Sequence, residues 1–277
     1  MAVYFVTGSS RGFGAEITRE ALSRGHQVVA TARSAARVRD RFPDAGDALL
    51  SVSLDVTDQG QVRAAVDEAK DRFGAIDVLV NNAGHGLLSA VEEADADDVR
   101  AVYETNVFGV LNVQRSVLPV MRAQRSGRVI NISSVGGFRS SAGWGIYAST
   151  KFALEGISEA MAIELAPLGI KVTIIEPGYF RTDFLDGSSL AAAAHVIDDY
   201  AETSGRMRET ARSVNHAQPG DPAKAATAVL DVAESDNPPL RIPLGPDSVA
   251  AMEAKLAFVA KELAEWRALA TSTDFTD

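Results

Sequence analysis

Tyr147 and Lys151 stand four residues apart in a stretch, 146–167, whose apolar positions recur with helical period, so both fall on one face about one turn apart. A phenol with an ordinary pKa of ~10 stays protonated near neutrality and is a poor acid–base group; an ammonium beside it favours the phenolate and brings it toward the working range. Taken alone, Tyr-x-x-x-Lys is also an ordinary amphipathic pair. The apolar run GRVINISS (127–134) ends in two hydroxyls, and strand alternation lets only one of Ser133 and Ser134 face the same site. Such a hydroxyl can donate to an oxygen on which charge develops. Asn106 lies inside a helical pattern, where asparagine is not a favoured interior residue. His85 has no evident partner, and the four histidines are too dispersed to suggest a metal site. A phenol, a cation and a hydroxyl together suit the protonation of a carbonyl oxygen or the reverse.

Positioning such groups requires a scaffold, and the chain supplies one. Short β-branched runs at 3–6, 26–32, 49–56, 76–82, 127–134, 170–177 and 240–244 alternate with helical patterns at about 14–24, 58–73, 95–124, 146–167, 221–235 and 247–269. This is the pattern of βαβ units, and it predicts an α/β, doubly wound Rossmann-type fold with about seven parallel strands and helices on both faces. No repeat or linker divides the chain, so one domain over 1–277 is expected, with a C-terminal helical extension from 246 onward. The stretch 183–219 reads as polar and alanine-rich, without a strand. Inserted after the carboxyl end of a strand, it is placed to act as a substrate lid. In the tail, Val249, Met252, Leu256, Val259, Leu263 and Trp266 form an apolar stripe that would cover the chain's own sheet or a neighbour.

The first strand breaks into TGSSRGFG (7–14), where Gly8, Gly12 and Gly14 precede a helix. A strand passing through glycines into a helix exposes backbone N–H groups and the positive end of the helix dipole, a geometry that binds a pyrophosphate. The spacing G-x-x-x-G-x-G differs from the usual G-x-G-x-x-G, and the placement carries more weight than the spacing. The second strand ends in Ala32 and Arg33, where an acidic residue would select the ribose hydroxyl of NAD. A guanidinium there can instead pair a 2′-phosphate, and Arg11 could approach the same phosphate from the other side.

Bulk properties exclude other classes. A formal charge of −10 disfavours nucleic acid and anionic membranes, the absence of cysteine rules out thiol chemistry and disulfides, and no run approaches the ~18 apolar residues of a membrane span. Only Ala2 separates Met1 from the first strand, leaving no room for a signal peptide, so a cytoplasmic location is expected.

The motifs TGSSRGFG (7–14), DVTD (55–58), NNAG (81–84), Asn106 of TNVFG, NISS (131–134), YASTK (147–151) and PGYFRT (177–182), in that order and at strand ends, resemble those of the classical short-chain dehydrogenase/reductase family over about residues 3–182. Within it the sequence is similar to the NADP-preferring reductases and to steroid- and retinol-dehydrogenase-like members. The resemblance implies a proton relay of Asn106, Ser134, Tyr147 and Lys151, and selects Ser134 over Ser133. It implies that Gly8, Ser10, Arg11, Gly12, Phe13 and Gly14 surround the cofactor phosphates, with Arg33 at the ribose. Asp55 and Val56 would meet the adenine, Asn82, Ala83 and Gly84 the adjacent ribose, and Pro177, Gly178 and Thr182 the nicotinamide, beside Tyr147 and Lys151. Asn106 would hold a water linking the lysine to solvent.

Substrate-pocket candidates beside Ser134 and Tyr147 are His85, Leu87, Phe138, Trp144, Tyr179 and Phe184, mostly apolar or aromatic, which favours a bulky hydrophobic ketone or its alcohol. NADP(H) is expected ahead of NAD(H), together with a homodimer or homotetramer built through the long helices flanking the fifth strand. The rival from another class is a dinucleotide sensor or scaffold without turnover, and a second is a sugar-nucleotide epimerase; net cofactor oxidation separates all three.

Overall fold

The computed structural model describes residues 1–275; the last two residues of the expected extension, 276–277, lie outside the described residues. Its strands are β1 (Val3–Thr7), β2 (Gln27–Ala32), β3 (Leu49–Ser53), β4 (Val78–Asn81), β5 (Gly86–Leu88), β6 (Gly127–Ile132), β7 (Ile170–Pro177), β8 (Leu190–Ala192) and β9 (Arg241–Leu244). Helices are α1 (Gly12–Ser23), α2 (Ala35–Arg41), α3 (Gln59–Phe73), α4 (Ala96–Tyr103), α5 (Val110–Gln124), α6 (Gly145–Leu165), α7 (Arg206–Val214), α8 (Pro222–Glu234) and α9 (Pro246–Ala270).

Seven strands form one parallel sheet in the order β3-β2-β1-β4-β6-β7-β9. Period-two alternation sorts the side chains of β1: Val3 and Phe5 enter the core under α3, α5 and α6, while Tyr4 and Val6 enter the core under α1, α2 and α8. With both faces covered, the strands can be apolar throughout, and all five residues of β1 are buried. The chain runs from β1 out to β3 on one side and resumes with β4 on the other. That reversal opens a crevice at the carboxyl ends of β1 and β4, the place where sheets of this kind bind ligands.

Two local expectations are corrected. The segment 183–219 does contain a strand: β8 pairs in parallel with β5, Leu87 opposite Ala191, tying the insertion to the loop after β4. Three residues flanked by Ser188, Ser189 and alanines carry too little β-branched signal to read as a strand. The pattern at 95–124 is not one α-helix either, since a π-helical turn spans Glu104–Gly109 between α4 and α5. A Cβ on Gly109 would meet Val56 closer than 3.0 Å, so this turn passes unusually near the loop after β3. Helix α2, too short for its period to register, lies outside the expected elements. The stripe on α9 does not cover the sheet, for only Ser248 of that helix is buried.

Among the described residues, no helix is long and apolar enough to cross a membrane, and no group of three or more His, Asp and Glu is placed to hold a metal ion.

Candidate active site

At the end of β1 the backbone takes positive φ at Gly8 (+72°) and Gly12 (+55°), which glycine adopts without a Cβ penalty. Helix α1 then begins with no acidic residue in its first turn, so nothing opposes an anion there. The Thr7 hydroxyl accepts from the amides of Asn82 (2.9 Å) and Ala83 (3.0 Å), and Asn82 Nδ2 donates to the Thr7 carbonyl (2.8 Å). These bonds lock the loops after β1 and β4 together. Gly14 belongs to this seam rather than to the crevice: a Cβ would lie closer than 3.0 Å to the Gly8 carbonyl and to Asn82 Nδ2.

The crevice is a cavity of about 730 Å³. Gly8, Ser10, Arg11, Gly12 and Phe13 line it, together with Arg33, Asp55 and Val56. Asn82, Ala83, Gly84, His85, Ser134, Tyr147, Lys151, Pro177, Gly178 and Thr182 line it as well, and a Cβ on Gly12 would lie 3.6 Å from the Thr182 Cβ. Asp55 Oδ1 accepts from the amide and hydroxyl of Thr57, which fixes the carboxylate at the rim. Arg33 is exposed at the end of β2. Arg11 takes a different role from the one expected: its guanidinium donates to the Ser188 hydroxyl (2.6 Å), the Ser188 carbonyl (2.8 Å) and the Ser189 hydroxyl (2.7 Å). The fork is occupied by the insertion, a partner 177 residues away in sequence that no local pattern reveals.

Tyr147 and Lys151 lie on α6, with the Lys151 Nζ 5.8 Å from the Tyr147 ring centre and donating to the Ile132 carbonyl at 2.9 Å. That bond, from the last residue of β6, aims the lysine. Burial pulls the Lys151 ammonium down to about 8, against the opposing field of Glu155. Burial also raises the Tyr147 phenol above its usual value, with hydrogen bonding to Ser134 acting the other way. The lowering expected from the lysine does not register at the phenol, where burial sets the direction and only Ser134 opposes it. The reason is the aromatic wall: Trp144 and Phe184 stand 5.6 and 5.5 Å from the Tyr147 ring, centre to centre. Ser134 accepts from the Gly136 amide at 3.0 Å and borders the cavity. Ser133 is buried but lines the same cavity; both serines lie beyond Ile132, the last residue of β6, so strand alternation does not separate them.

Asn106 occupies the π-helical turn and is buried. Its Oδ1 accepts from the His85 amide (3.0 Å), while Nδ2 donates to the His85 carbonyl (2.9 Å) and the Thr150 hydroxyl (3.1 Å). The side chain thus clamps the loop after β4 onto α6 beside Lys151. Thr150, which completes the clamp, carries no sequence signal.

Of the pocket candidates, His85, Trp144, Tyr179 and Phe184 line the cavity. Leu87 and Phe138 do not: Leu87 is buried in β5, and Phe138 packs under the Arg241 guanidinium. Leu185 and Leu190 of the insertion line it as well, packing with Phe184 and Met207 against Tyr147 and Trp144. Their apolar character was legible, but not their place over the tyrosine. The insertion is pinned from below by an ion pair, Arg208 of α7 to Glu93 at 2.7 Å, with the glutamate side chain fully buried.

The model of the short chain dehydrogenase family matches residues 2–193. The oxidoreductase BOA17 of Botryotinia fuckeliana is 40% identical over 274 residues, 98% of each chain. The 3-ketodihydrosphingosine reductase of Bacteroides thetaiotaomicron is 38% identical over 88% of each. A crystal structure of a short-chain dehydrogenase from Streptomyces avermitilis superposes with a TM-score of 0.92 at 40% identity, over 99% of this chain and 100% of that one. With the glycine turn, the parallel sheet and the Ser134, Tyr147 and Lys151 side chains at one end of a single crevice, these matches establish that the chain belongs to the short-chain dehydrogenase family of oxidoreductases.

Proposed function

We propose that the chain is an NADP(H)-dependent oxidoreductase that reduces a bulky hydrophobic ketone to its secondary alcohol. The observation that carries this reading is the meeting of Ser134, Tyr147 and Lys151 with an apolar, aromatic wall, Trp144, Phe184, Leu185 and Leu190, around one end of a cavity of about 730 Å³.

The residues present fit a dinucleotide. The positive-φ glycines and the acid-free start of α1 make a cradle for its phosphates, Asp55 and Val56 a rim for the adenine, and Asn82, Ala83 and Gly84 a floor for the ribose. Arg33 would take the 2′-phosphate that separates NADP from NAD; with Arg11 bonded to Ser188 and Ser189, cofactor choice rests on Arg33. Pro177, Gly178 and Thr182 would border the nicotinamide, which supplies the hydride. Tyr147 then donates its proton to the substrate oxygen, and Ser134 donates a hydrogen bond to the same atom as charge develops there. Lys151, held by the Ile132 carbonyl and cationic below about pH 8, stabilises the phenolate that remains. Asn106 keeps the loop carrying Gly84 and His85 against α6, so that ribose floor and lysine stay in register.

The insertion 183–219 is the substrate lid of this single domain, latched to the phosphate turn through Arg11. The Bacteroides relative, named as a reductase of a 3-keto compound, supports both the ketone and the direction, which a reduced cytoplasmic NADP pool would drive. Exposed Phe108, Phe152 and Ile163, before, within and along the helices flanking β6, support a dimer through α5 and α6.

The test is NADPH oxidation, followed by absorbance, across ketones of graded size and polarity. Apolar ring or long-chain ketones are expected to turn over and Tyr147→Phe to abolish turnover while leaving NADPH binding intact. Activity on short polar carbonyls alone would overturn the substrate class; a near-normal rate for Tyr147→Phe would remove the tyrosine as acid. No turnover at all, with NADPH bound, would favour the sensor.

A further inference from the structure

Helix α9 is fastened to the body only at its start. Ser248 is buried and donates to the Glu176 carbonyl at 2.7 Å, and Asp247 accepts from the Tyr179 amide at 2.7 Å. From Leu256 to Ala270 every residue is exposed, a free rod about 20 Å long. An isolated helix of this length is marginal in water. Yet this one carries Leu256, Val259, Leu263 and Trp266 at 45–63% exposure. Val249, Met252, Leu256, Val259, Leu263 and Trp266 follow one another at alternating intervals of three and four residues, the 3.5-residue period of a helix that packs along another helix rather than on a sheet.

We infer that the occupant of this seam is α9 of a second copy of the chain, running antiparallel. Leucine at the first seam position, with Val259 and Trp266 at the second, reverses the arrangement that favours parallel two-stranded coils. In the antiparallel register Leu256 faces Val259 of the second copy, Met252 faces Leu263, and Val249 faces Trp266. Leu256 then meets the smaller Val259 and Trp266 the smaller Val249, while Met252 and Leu263 match in size; a parallel register would stack Trp266 on itself. Lys255 and Glu262 precede two seam leucines and flank the same side, so the two-fold axis brings each lysine to the other copy's glutamate, twice. The antiparallel arrangement also places the two bodies at opposite ends of the rod. A lipid surface is the weaker occupant, because residues 253–267 carry three acidic and three basic side chains rather than a basic face. Helix α9 is 25 of 277 residues, so the match to the Streptomyces avermitilis structure over 99% of the chain takes it in. This surface is separate from α5 and α6, and its contact braces the loop bearing Gly178 and Tyr179 through Asp247.

Sedimentation velocity on the full chain and on the double variant Leu256→Glu, Leu263→Glu tests the inference. The variant is expected to show half the mass of the parent, with unchanged circular dichroism and cofactor binding, whether the parent is a dimer or a tetramer. An unchanged mass overturns it. Because the chain has no cysteine, the register can be read by oxidative cross-linking: Met252→Cys and Leu263→Cys, each about 16 Å along the rod from the same residue of the second copy, should stay monomeric on denaturing gels and link when mixed. Efficient linking of Met252→Cys or Leu263→Cys to itself overturns the antiparallel register. Co-sedimentation with phosphatidylcholine/phosphatidylserine vesicles that the double variant loses, without a mass change, would assign the stripe to a membrane instead.

Discussion

Replacing Arg208 by alanine removes one half of the ion pair that anchors the insertion. Arg208 Nη1 lies 2.7 Å from Glu93 Oε2, with 10% of the arginine side chain and none of the glutamate side chain exposed. Glu93 also accepts from the amides of Ala90 (2.8 Å) and Ile197 (3.0 Å), so one carboxylate holds the loop after β5, the insertion and α7 together. Breaking a buried pair by deleting one partner costs about 3–5 kcal/mol, mostly because the remaining charge stays desolvated. The two amides that remain place the expected loss near the lower end, about 3 kcal/mol at neutral pH. As a control, the exposed pair of Arg206 and Glu202 on the same segment is worth about 0–1 kcal/mol, so Arg206→Ala should be nearly silent. The pH dependence has a definite sign. Burial acts to raise the Glu93 carboxyl, but bonds from Arg208, Ile197 and Ala90 outweigh it and hold the group at about 2, below its ordinary 4.5. Its contribution is therefore present above pH 4.5 and lost as pH falls toward 2. Urea unfolding of the parent, Arg208→Ala, Glu93→Gln and the double variant should show a gap that narrows between pH 4.5 and 2, and a double variant less damaged than the sum of the singles. A loss under about 1 kcal/mol at pH 7, or a gap independent of pH, would refute the reasoning.

Three further outcomes follow from other parts of the fold. Gly14→Ala drives a methyl into the Gly8 carbonyl, a backbone atom that cannot move aside, and should cost about 1–3 kcal/mol in unfolding free energy and weaken NADPH binding; parental values in both assays would contradict the packing role. Arg33→Asp should weaken NADPH and improve NADH in steady-state kinetics, and an unchanged preference would remove Arg33 as the selector. Burial, reinforced by Glu155, pushes the Glu176 carboxyl up to about 8, so the stability it lends is complete below pH 4.5 and lost as pH rises through 8. Glu176→Gln stays neutral throughout, so its unfolding free energy should match the parent's near pH 4.5 and exceed it by up to a few kcal/mol at pH 8, with parallel profiles counting against this account.

The sheet was legible because strands buried on both faces need unbroken β-branched runs, and helices between them need a 3.6-residue period. The glycine turn and the Tyr147–Lys151 pair stood out by residue type and spacing, whereas Ser134 was preferred to Ser133 only through the family resemblance. What escaped was whatever depends on partners distant in sequence. Arg11 looked like a second phosphate ligand, yet its fork is filled by Ser188 and Ser189. Phe138 and Leu87 looked like pocket wall because they adjoin catalytic motifs, but adjacency in sequence does not fix which way a side chain points.

The amino-acid sequence alone thus determined the layer architecture, the ends of the strands where chemistry collects, and the apolar stripe on the last helix, all of them consequences of local period and local backbone geometry. Only the tertiary structure decided that Asn106 sits in a π-helical turn clamping His85 to α6, that the insertion closes over Tyr147 and is bolted by Glu93 and Arg208, and that α9 stands clear of its own sheet. The contacts among them join segments up to 115 residues apart, set by how the packed sheet brings loops together, and no periodicity within a single segment encodes them.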